Sequence, residues 1–418
     1  MKDSGVEWIG DVPEGWEIIR IKYVTQQRNQ KGTFNPSCDV YIGLENIIGL
    51  SNVLIETESQ YEETEYCICK KDDVLYSRLR PNLAKTIICP FDAFCTGELM
   101  IFSEFRGEKR FFRYWLLGQG FRDNVVRSTY GSKMPRANPT YIVNLPMCFP
   151  PTSEQQEIAD YLDTKCAEID KVEEKTRESI EEYKKLKQAV ITEAVTKGVR
   201  GPRPMKPSGV EWIGDIPEEW EIFSLRYIGS CQNGISKGGE YFGQGYPFIS
   251  YSDVCKNITL PTSPTGLVET TTEEQERYSV QCGDIFFTRT SEIGITSVCC
   301  ASISRATFAG FLIRVRPYNE QILPHYSKYY FRSEIHRRFF VKEMNIVTRA
   351  SLSQDLLKRM PVLLPDRNEQ QEIADYLDAK CGEIDRLISK KEQLITELET
   401  YKKSLIYEYV TGKKEVPA

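Results

Sequence analysis

The chain repeats two of its own segments, and that repetition limits its architecture more than any other feature. SGVEWIGDVPEGWEI, beginning at Ser4, returns as SGVEWIGDIPEEWEI at Ser208, with 13 of 15 positions identical. EQQEIADYLDTKCAEID, beginning at Glu154, returns as EQQEIADYLDAKCGEID at Glu369, with 15 of 17 identical. The offsets are 204 and 215, so the unrepeated interiors run to 135 residues (19–153) and 146 residues (223–368). Solenoid units span only about 20–50 residues. This is the duplication of a whole two-part module, constant–variable–constant twice over.

Each second constant block opens a long helix. Between 152 and 196 there is no Pro or Gly, and apolar or small residues recur in steps of three, four and seven. They are Ile158, Leu162, Ile169, Val172, Thr176, Ile180, Tyr183, Leu186, Val190 and Ala194. The later copy repeats the steps at Ile373, Leu377, Ile384, Leu387, Leu394, Leu398, Tyr401 and Leu405. This is the spacing of a coiled-coil seam. Pro150-Pro151 stops the preceding strand, Ser153 with Gln156 offers a capping box, and Gly198 and Gly412 end the helices. About 44 residues at ~1.5 Å each make a rod of about 65 Å. One apolar stripe cannot stabilise such a rod alone, so the two helices are expected to pair, antiparallel if a two-fold axis relates the modules. The alternative is that each stripe packs on its own globular domain. Between the modules, GVRGPRPMKPSG (198–209) reads as an exposed connection.

Net charge is −6, but it is unevenly spread. Residues 154–198 hold 12 acidic and 8 basic side chains, and 369–412 hold 10 and 6, so each helix is −4 and the remainder is +2. Within that remainder, 106–136 carries eight basic and two acidic residues, and 324–360 carries eight and three. Both stretches precede a helix and are interleaved with aromatics: Phe111, Phe112, Tyr114, Trp115 and Phe121, then Tyr326, Tyr329, Tyr330, Phe331, Phe339 and Phe340. Twofold occurrence in an acidic protein points to two nucleic-acid footprints, since Lys and Arg supply most non-specific DNA affinity.

Several classes are disfavoured. No stretch approaches the ~18 apolar residues of a membrane span, and the N-terminus lacks the apolar region of a secretory signal. Thirteen Cys, an odd number without zinc-ribbon spacing, and only His325 and His336 leave little for disulfides, a metal site or a Ser-His-Asp triad. The expectation is a reduced, soluble, cytoplasmic protein. There is no GxxxxGK[ST] and no GxGxxG. Asn138-Pro139-Thr140-Tyr141 approaches an adenine-methyltransferase tetrapeptide but lacks its second proline, and reads as a turn after a basic loop.

The repeated blocks, with YIGLENI at Tyr41, DVLYSRLRPNLAKTIIC at Asp73, YSDV at Tyr251 and GDIFFTRTSEIGITSVC at Gly283, resemble the specificity subunits of type I restriction–modification systems across nearly the whole chain. The resemblance implies an α+β fold: two mixed α/β target recognition domains separated by a long antiparallel two-helix coiled coil, in pseudo-two-fold duplication. The domains would be 1–151 and 208–365, the spacer helices 152–198 and 366–412, the linker 199–207 and the tail 413–418. Each domain would read half of an asymmetric bipartite DNA sequence. The subunit would be non-catalytic and hold no cofactor or metal. Its partners would be double-stranded DNA, two methyltransferase subunits using S-adenosylmethionine, and restriction subunits using ATP and Mg.

Candidate DNA contacts are polar residues on loops, because Arg, Lys, Ser and Thr read base edges. In the first domain they are Ser77, Arg78, Arg80 and Lys85, with Thr129, Ser132, Lys133 and Arg136. In the second they are Thr288, Arg289, Thr290 and Ser291, with Thr348, Arg349, Ser351 and Ser353. The expected helix seam comprises Ile158, Leu162, Ile169, Val172, Tyr183, Leu186 and Val190 against Ile373, Leu377, Ile384, Leu387, Leu394, Leu398 and Leu405. Trp8, Trp16, Trp212 and Trp220, matched between modules, either seal each domain against a helix or help dock partner subunits. Other classes remain: a solitary modification enzyme, which would bind S-adenosylmethionine, and a protein-only scaffold, which would not bind DNA.

Overall fold

The computed structural model describes every residue except 59, 132, 344–350 and 418. Ser132, Thr348 and Arg349, expected to meet DNA, lie outside the described residues. The chain is mixed α and β and forms two compact units, 1–177 with 392–418, and 178–391. The division falls inside both long helices, Thr152–Lys197 and Arg367–Val410, so each unit contains half of each.

The first unit is built on strands β1 (Gln26–Gln27), β2 (Val74–Ser77), β3 (Thr86–Ile88) and β4 (Leu99–Ser103), in the order β1-β4-β2-β3. The second unit uses β5 (Gly229–Asn233), β6 (Ile285–Thr288), β7 (Thr296–Val298) and β8 (Leu312–Pro317), in the corresponding order β5-β8-β6-β7. The central pairs are antiparallel, Leu99 opposite Ser77 and Leu312 opposite Thr288. Val74-Leu75-Tyr76 and Ile285-Phe286-Phe287 are unbroken apolar runs because both sheet faces are covered. One face meets a core that includes both long helices. In the first unit Ile158, Leu162, Cys166 and Ile169 join Leu405, Ile406, Tyr409 and Val410. In the second, Ile191, Ala194 and Val195 join Ile373, Leu377 and Cys381. Within each unit, therefore, half of each helix packs on the globular core and beside half of the other helix.

Within each unit the helices meet antiparallel. Lys402 Nζ donates to Asp170 at 2.5 Å and the Tyr161 and Tyr409 rings lie 4.6 Å apart in the first unit. Lys187 Nζ donates to Asp385 at 2.6 Å and Lys391 lies over the Tyr183 ring in the second. The expected seam needs a correction. Val172, Leu186, Leu387 and Leu394 are 45%, 49%, 37% and 41% exposed. Each sits one residue, about 100° of helix, before the true seam position. Those positions hold Glu173, Lys187, Ile388 and Ile395, and of the other seam residues Thr176 and Lys402 are also polar. The polar residues hid the frame, because an apolar flank imitated the stripe they interrupt.

The repeated Glu-Gln-Gln is explained by what it ties down. Gln155 Oε1 accepts from the Glu108 N–H at 2.9 Å while its Nε2 donates to Pro150 O at 2.7 Å. Gln370 makes the matching pair with the Leu323 N–H at 2.8 Å and Pro365 O at 3.0 Å. Gln156 reaches forward to Asp160 and forms no capping box.

Two further expectations change. The connection 199–207 is not a free linker: Arg203 Nη2 donates to the buried Glu369 at 2.5 Å, Arg200 pairs with Glu372 at 2.7 Å, and Met205–Pro207 pairs with Asp215–Pro217. A buried carboxylate requires such partners. Trp16 and Trp220 are 2% and 0% exposed, and Trp220 Nε1 donates to Glu369 at 2.9 Å, so these two seal their own units and present no docking surface. Trp8 and Trp212 are half-buried, against Trp115 and Phe339 respectively.

Candidate nucleic-acid interface

In both units the loop leaving the central strand is stitched to a loop in the later part of the basic stretch. The Ala137 N–H donates to Arg78 O at 2.9 Å, the Arg80 N–H to Pro135 O at 2.8 Å, and Leu79 bridges Arg136. In the second unit the Leu352 N–H donates to Arg289 O at 2.9 Å. The residues preceding β4 and β8 complete the frame: the Arg78 N–H donates to Glu98 O, and the Arg289 N–H to Phe311 O. Arg80 and Ser291 turn with φ of +48° and +59°. Gly294, at φ +79°, lets the second loop lie against Phe340, where a Cβ would meet the ring at 2.3 Å.

The frame sorts the candidates. Arg80, Lys133, Ser291, Ser351 and Ser353 are exposed, and Arg78, Arg136, Arg289 and Thr290 are half-exposed. Others are committed to holding the loops. Ser77 is 2% exposed and donates to Leu79 O at 2.8 Å. Thr288 is fully buried, accepting from the Ile295 N–H at 2.9 Å and donating to Glu292 O. Lys85 donates to Leu44 O at 2.6 Å, Thr129 to Val126 O at 2.7 Å, and Ser353 caps the helix Gln354–Lys358. A short hydroxyl beside a turn satisfies the nearest backbone group first, so the expectation that the buried Ser77 and Thr288 reach bases is corrected, while Lys85, Thr129 and Ser353 each make a bond within the fold.

The basic stretches are also reassigned in part. Phe111, Phe112, Tyr114, Trp115 and Phe121 are core residues, at most 2% exposed. Arg110 donates to Asp160 and Asp163 on the first long helix at 2.8 and 2.9 Å, and Tyr114 OH donates to Asp163 at 2.7 Å. The Arg110 guanidinium holds the Asp160 carboxyl below its usual range. Lys328 and Tyr329 both donate to Asp378 at 2.6 Å in the second unit. Part of each basic stretch thus neutralises an acidic helix, which its sequence neighbours did not reveal. Asn138 begins the helix Pro139–Asn144, its side chain accepting from the Thr140 N–H at 2.9 Å, so the methyltransferase-like tetrapeptide is a helix cap. Among the described residues no group of three or more His, Cys, Asp or Glu is placed to hold a metal ion, and no helix is long and apolar enough to cross a membrane.

Residues 13–182 and 217–400 match the type I restriction modification DNA specificity domain. The chain belongs to this family. It is similar to the type I restriction enzyme EcoKI specificity subunit of Escherichia coli K12, at 22% identity over 97% of this chain and 90% of that protein. It is also similar to the MjaVIII specificity subunit of Methanocaldococcus jannaschii, at 24% identity over 71% of this chain and 68% of that one. Its fold resembles a chain from a type I restriction–modification assembly, with a TM-score of 0.73 at 17% identity, covering 97% and 100% of the two chains. The HsdS subunit of Thermoanaerobacter tengcongensis gives a TM-score of 0.51 at 16% identity, covering 97% and 98%.

Two residues at the candidate interface carried no signal in the sequence. Glu98 Oε1 accepts from Arg136 Nε at 2.8 Å, and its Oε2 lies 3.4 Å from Arg78 Nε. At the matching place Phe311 is 62% exposed. Pairing across strands brings Glu98 to both arginines, so only the sheet register could have found it.

Proposed function

We propose that this chain is a non-catalytic specificity subunit in which each unit reads one half of an asymmetric bipartite DNA target. The observation that carries this is the loop stitch made once in each unit, on sheets of matching strand order, with different side chains: Arg78, Arg80, Lys133 and Arg136 in one unit, Arg289, Thr290, Ser291 and Ser351 in the other. A common backbone presents two unlike sets of base-reading groups. The subunit works in the cytoplasm with two adenine-N6 methyltransferase subunits, which use S-adenosylmethionine, and with restriction subunits that use ATP and Mg. None of these cofactors is assigned to this chain.

Methylome sequencing of cells expressing the chain with its methyltransferase subunit tests the reading. Arg78→Ala with Arg80→Ala should relax one half-site and leave the other; Arg289→Ala should do the reverse. A lost bidentate contact costs about 1–3 kcal/mol of discrimination. Equal effects of both variants on both halves would overturn it.

In the same reading the duplicated modules are related by a pseudo-two-fold axis, and the paired long helices form an antiparallel coiled coil that fixes the unread gap. The ion pairs Asp170–Lys402 and Lys187–Asp385 support it, because each becomes the other under the 215-residue offset. Four residues inserted after both Ile180 and Ile395 add about 6 Å, nearly two base pairs, with a phase error coiled coils tolerate. The gap should widen by one or two base pairs; an active protein with an unchanged gap would defeat the ruler.

A further inference from the structure

Arg78 and Arg136 lie on different loops yet share one carboxylate. Glu98 Oε1 is 2.8 Å from both Nε and Nη2 of Arg136, and Oε2 is 3.4 Å from Arg78 Nε. The three side chains are 22%, 29% and 35% exposed for Glu98, Arg78 and Arg136, so the cluster is partly shielded but open on one side. A guanidinium has a side edge, Nε with Nη2, and an end edge, Nη1 with Nη2. Glu98 occupies the side edge of Arg136. The end edge that remains keeps two parallel N–H donors, enough to fork onto guanine O6 and N7 in the major groove. Arg78 is held at the backbone by the Ala137-to-Arg78 and Arg78-to-Glu98 hydrogen bonds and Arg136 by its exchange with Tyr130, while Glu98 hydrogen-bonds the Arg136 guanidinium and pairs by charge with that of Arg78. Long side chains ordinarily lose rotamer entropy when fixed; here part of that loss precedes binding. Two cations on one anion also leave a net positive charge facing DNA.

We propose that Glu98 is a positioning residue that pre-orients Arg78 and Arg136 for guanine edges, so that the half-site read by the first unit contains guanine recognised through N7. This rests on the half-site reading above. Among the described residues the second unit has Phe311 at the matching place, with no carboxylate there to do the same.

The test uses the full chain assembled with its methyltransferase subunits. Selection from random duplexes first yields the bipartite target. Each guanine in it is then replaced singly by 7-deazaguanine, which keeps base pairing and removes N7. At one or more guanines of the first half-site, the replacement should weaken wild-type binding roughly 5- to 100-fold. Glu98→Ala should lose most of that penalty, and Glu98→Gln, which keeps an acceptor oxygen, should restore part of it. Penalties in the second half-site should stay unchanged in both variants, a pattern that a general loss of fold would not produce. A full 7-deazaguanine penalty in Glu98→Ala, or a selected first half-site with no N7-dependent guanine, would overturn the proposal while leaving the half-site reading intact. Failure of the wild type to select any target would sink that reading itself, and this proposal with it.

Discussion

The two units agree at the side chains that tie each long helix to its unit and differ at many that face outward from the loops. Gln155 and Gln370 satisfy matching N–H and C=O groups, and Tyr114 and Tyr329 donate to Asp163 and Asp378. Losing either glutamine would strand a buried carbonyl, at Pro150 or Pro365, at a cost of about 1–3 kcal/mol. Glu98 and Phe311 diverge because the strand that follows them does not need either side chain. Phe121 and His336 diverge differently: both are buried aromatic rings of similar shape, but one can titrate. The comparison teaches that this chain keeps a duplicated framework and varies what the framework carries.

The largest test of the framework is in the cores. Leu162 and Leu377 are fully buried at matching positions, the first packed with Leu405 and Tyr409 in its core, the second with Ile191 and Ala194. Leu162→Ala and Leu377→Ala should each cost about 2–5 kcal/mol. Hydrogen–deuterium exchange read by peptide should show protection lost within the substituted unit, 1–177 with 392–418 or 178–391. Loss spread evenly over both units would mean that they unfold as one, and the comparison between them would lose its thermodynamic basis.

A smaller effect separates the units by pH. His336 is 2% exposed between the Tyr330 and Phe331 rings, and burial pushes its pKa down to about 3. The unfolded chain takes up the proton near pH 6.5 and the folded unit resists it until far lower. The stability is therefore complete above about pH 6.5 and is lost as pH falls toward 3. Between pH 7 and 4 the second unit should lose up to about 3 kcal/mol through this group. His336→Phe, which copies Phe121, should remove that slope from 178–391 and leave the first unit unchanged. An unaltered acid slope in the variant would show that other groups set it.

The sequence showed the duplication, both long helices and the family, because these rest on local spacing and on blocks repeated almost letter for letter. It misplaced the seam, because Val172 and Leu186 are apolar and Glu173 and Lys187 are not, yet the charged pair occupies the contact positions. It also overvalued the hydroxyls Ser77 and Thr288, whose partners lie within a few residues and outcompete a distant ligand. Glu98 was invisible for the opposite reason: its partners come from other segments and meet it only once the strands pair.

The smallest expected difference lies in the two ion pairs that mirror each other. Lys402 is 5% exposed where it meets Asp170, whereas Lys187 is 25% exposed where it meets Asp385. The carboxylates are 45% and 55% exposed, so either can rehydrate if its lysine is removed. What differs is the lysine: Lys402 buries its methylene stem in the first unit as well as its charge, and water screens its pair less. Lys402→Ala should therefore cost about 1–2 kcal/mol and Lys187→Ala less than about 1 kcal/mol. Raising salt from 0.05 to about 0.5 M should weaken the contribution of Lys187 more than that of Lys402, because exposed charges are screened first. Reversing the buried pair, Lys402→Asp with Asp170→Lys, separates charge from packing. It puts the short carboxylate in the seam and the long stem outside, so it should restore the attraction but not the buried methylenes. Full recovery would show that attraction alone sets the difference between the units, and recovery of less than half would assign most of it to the packed stem.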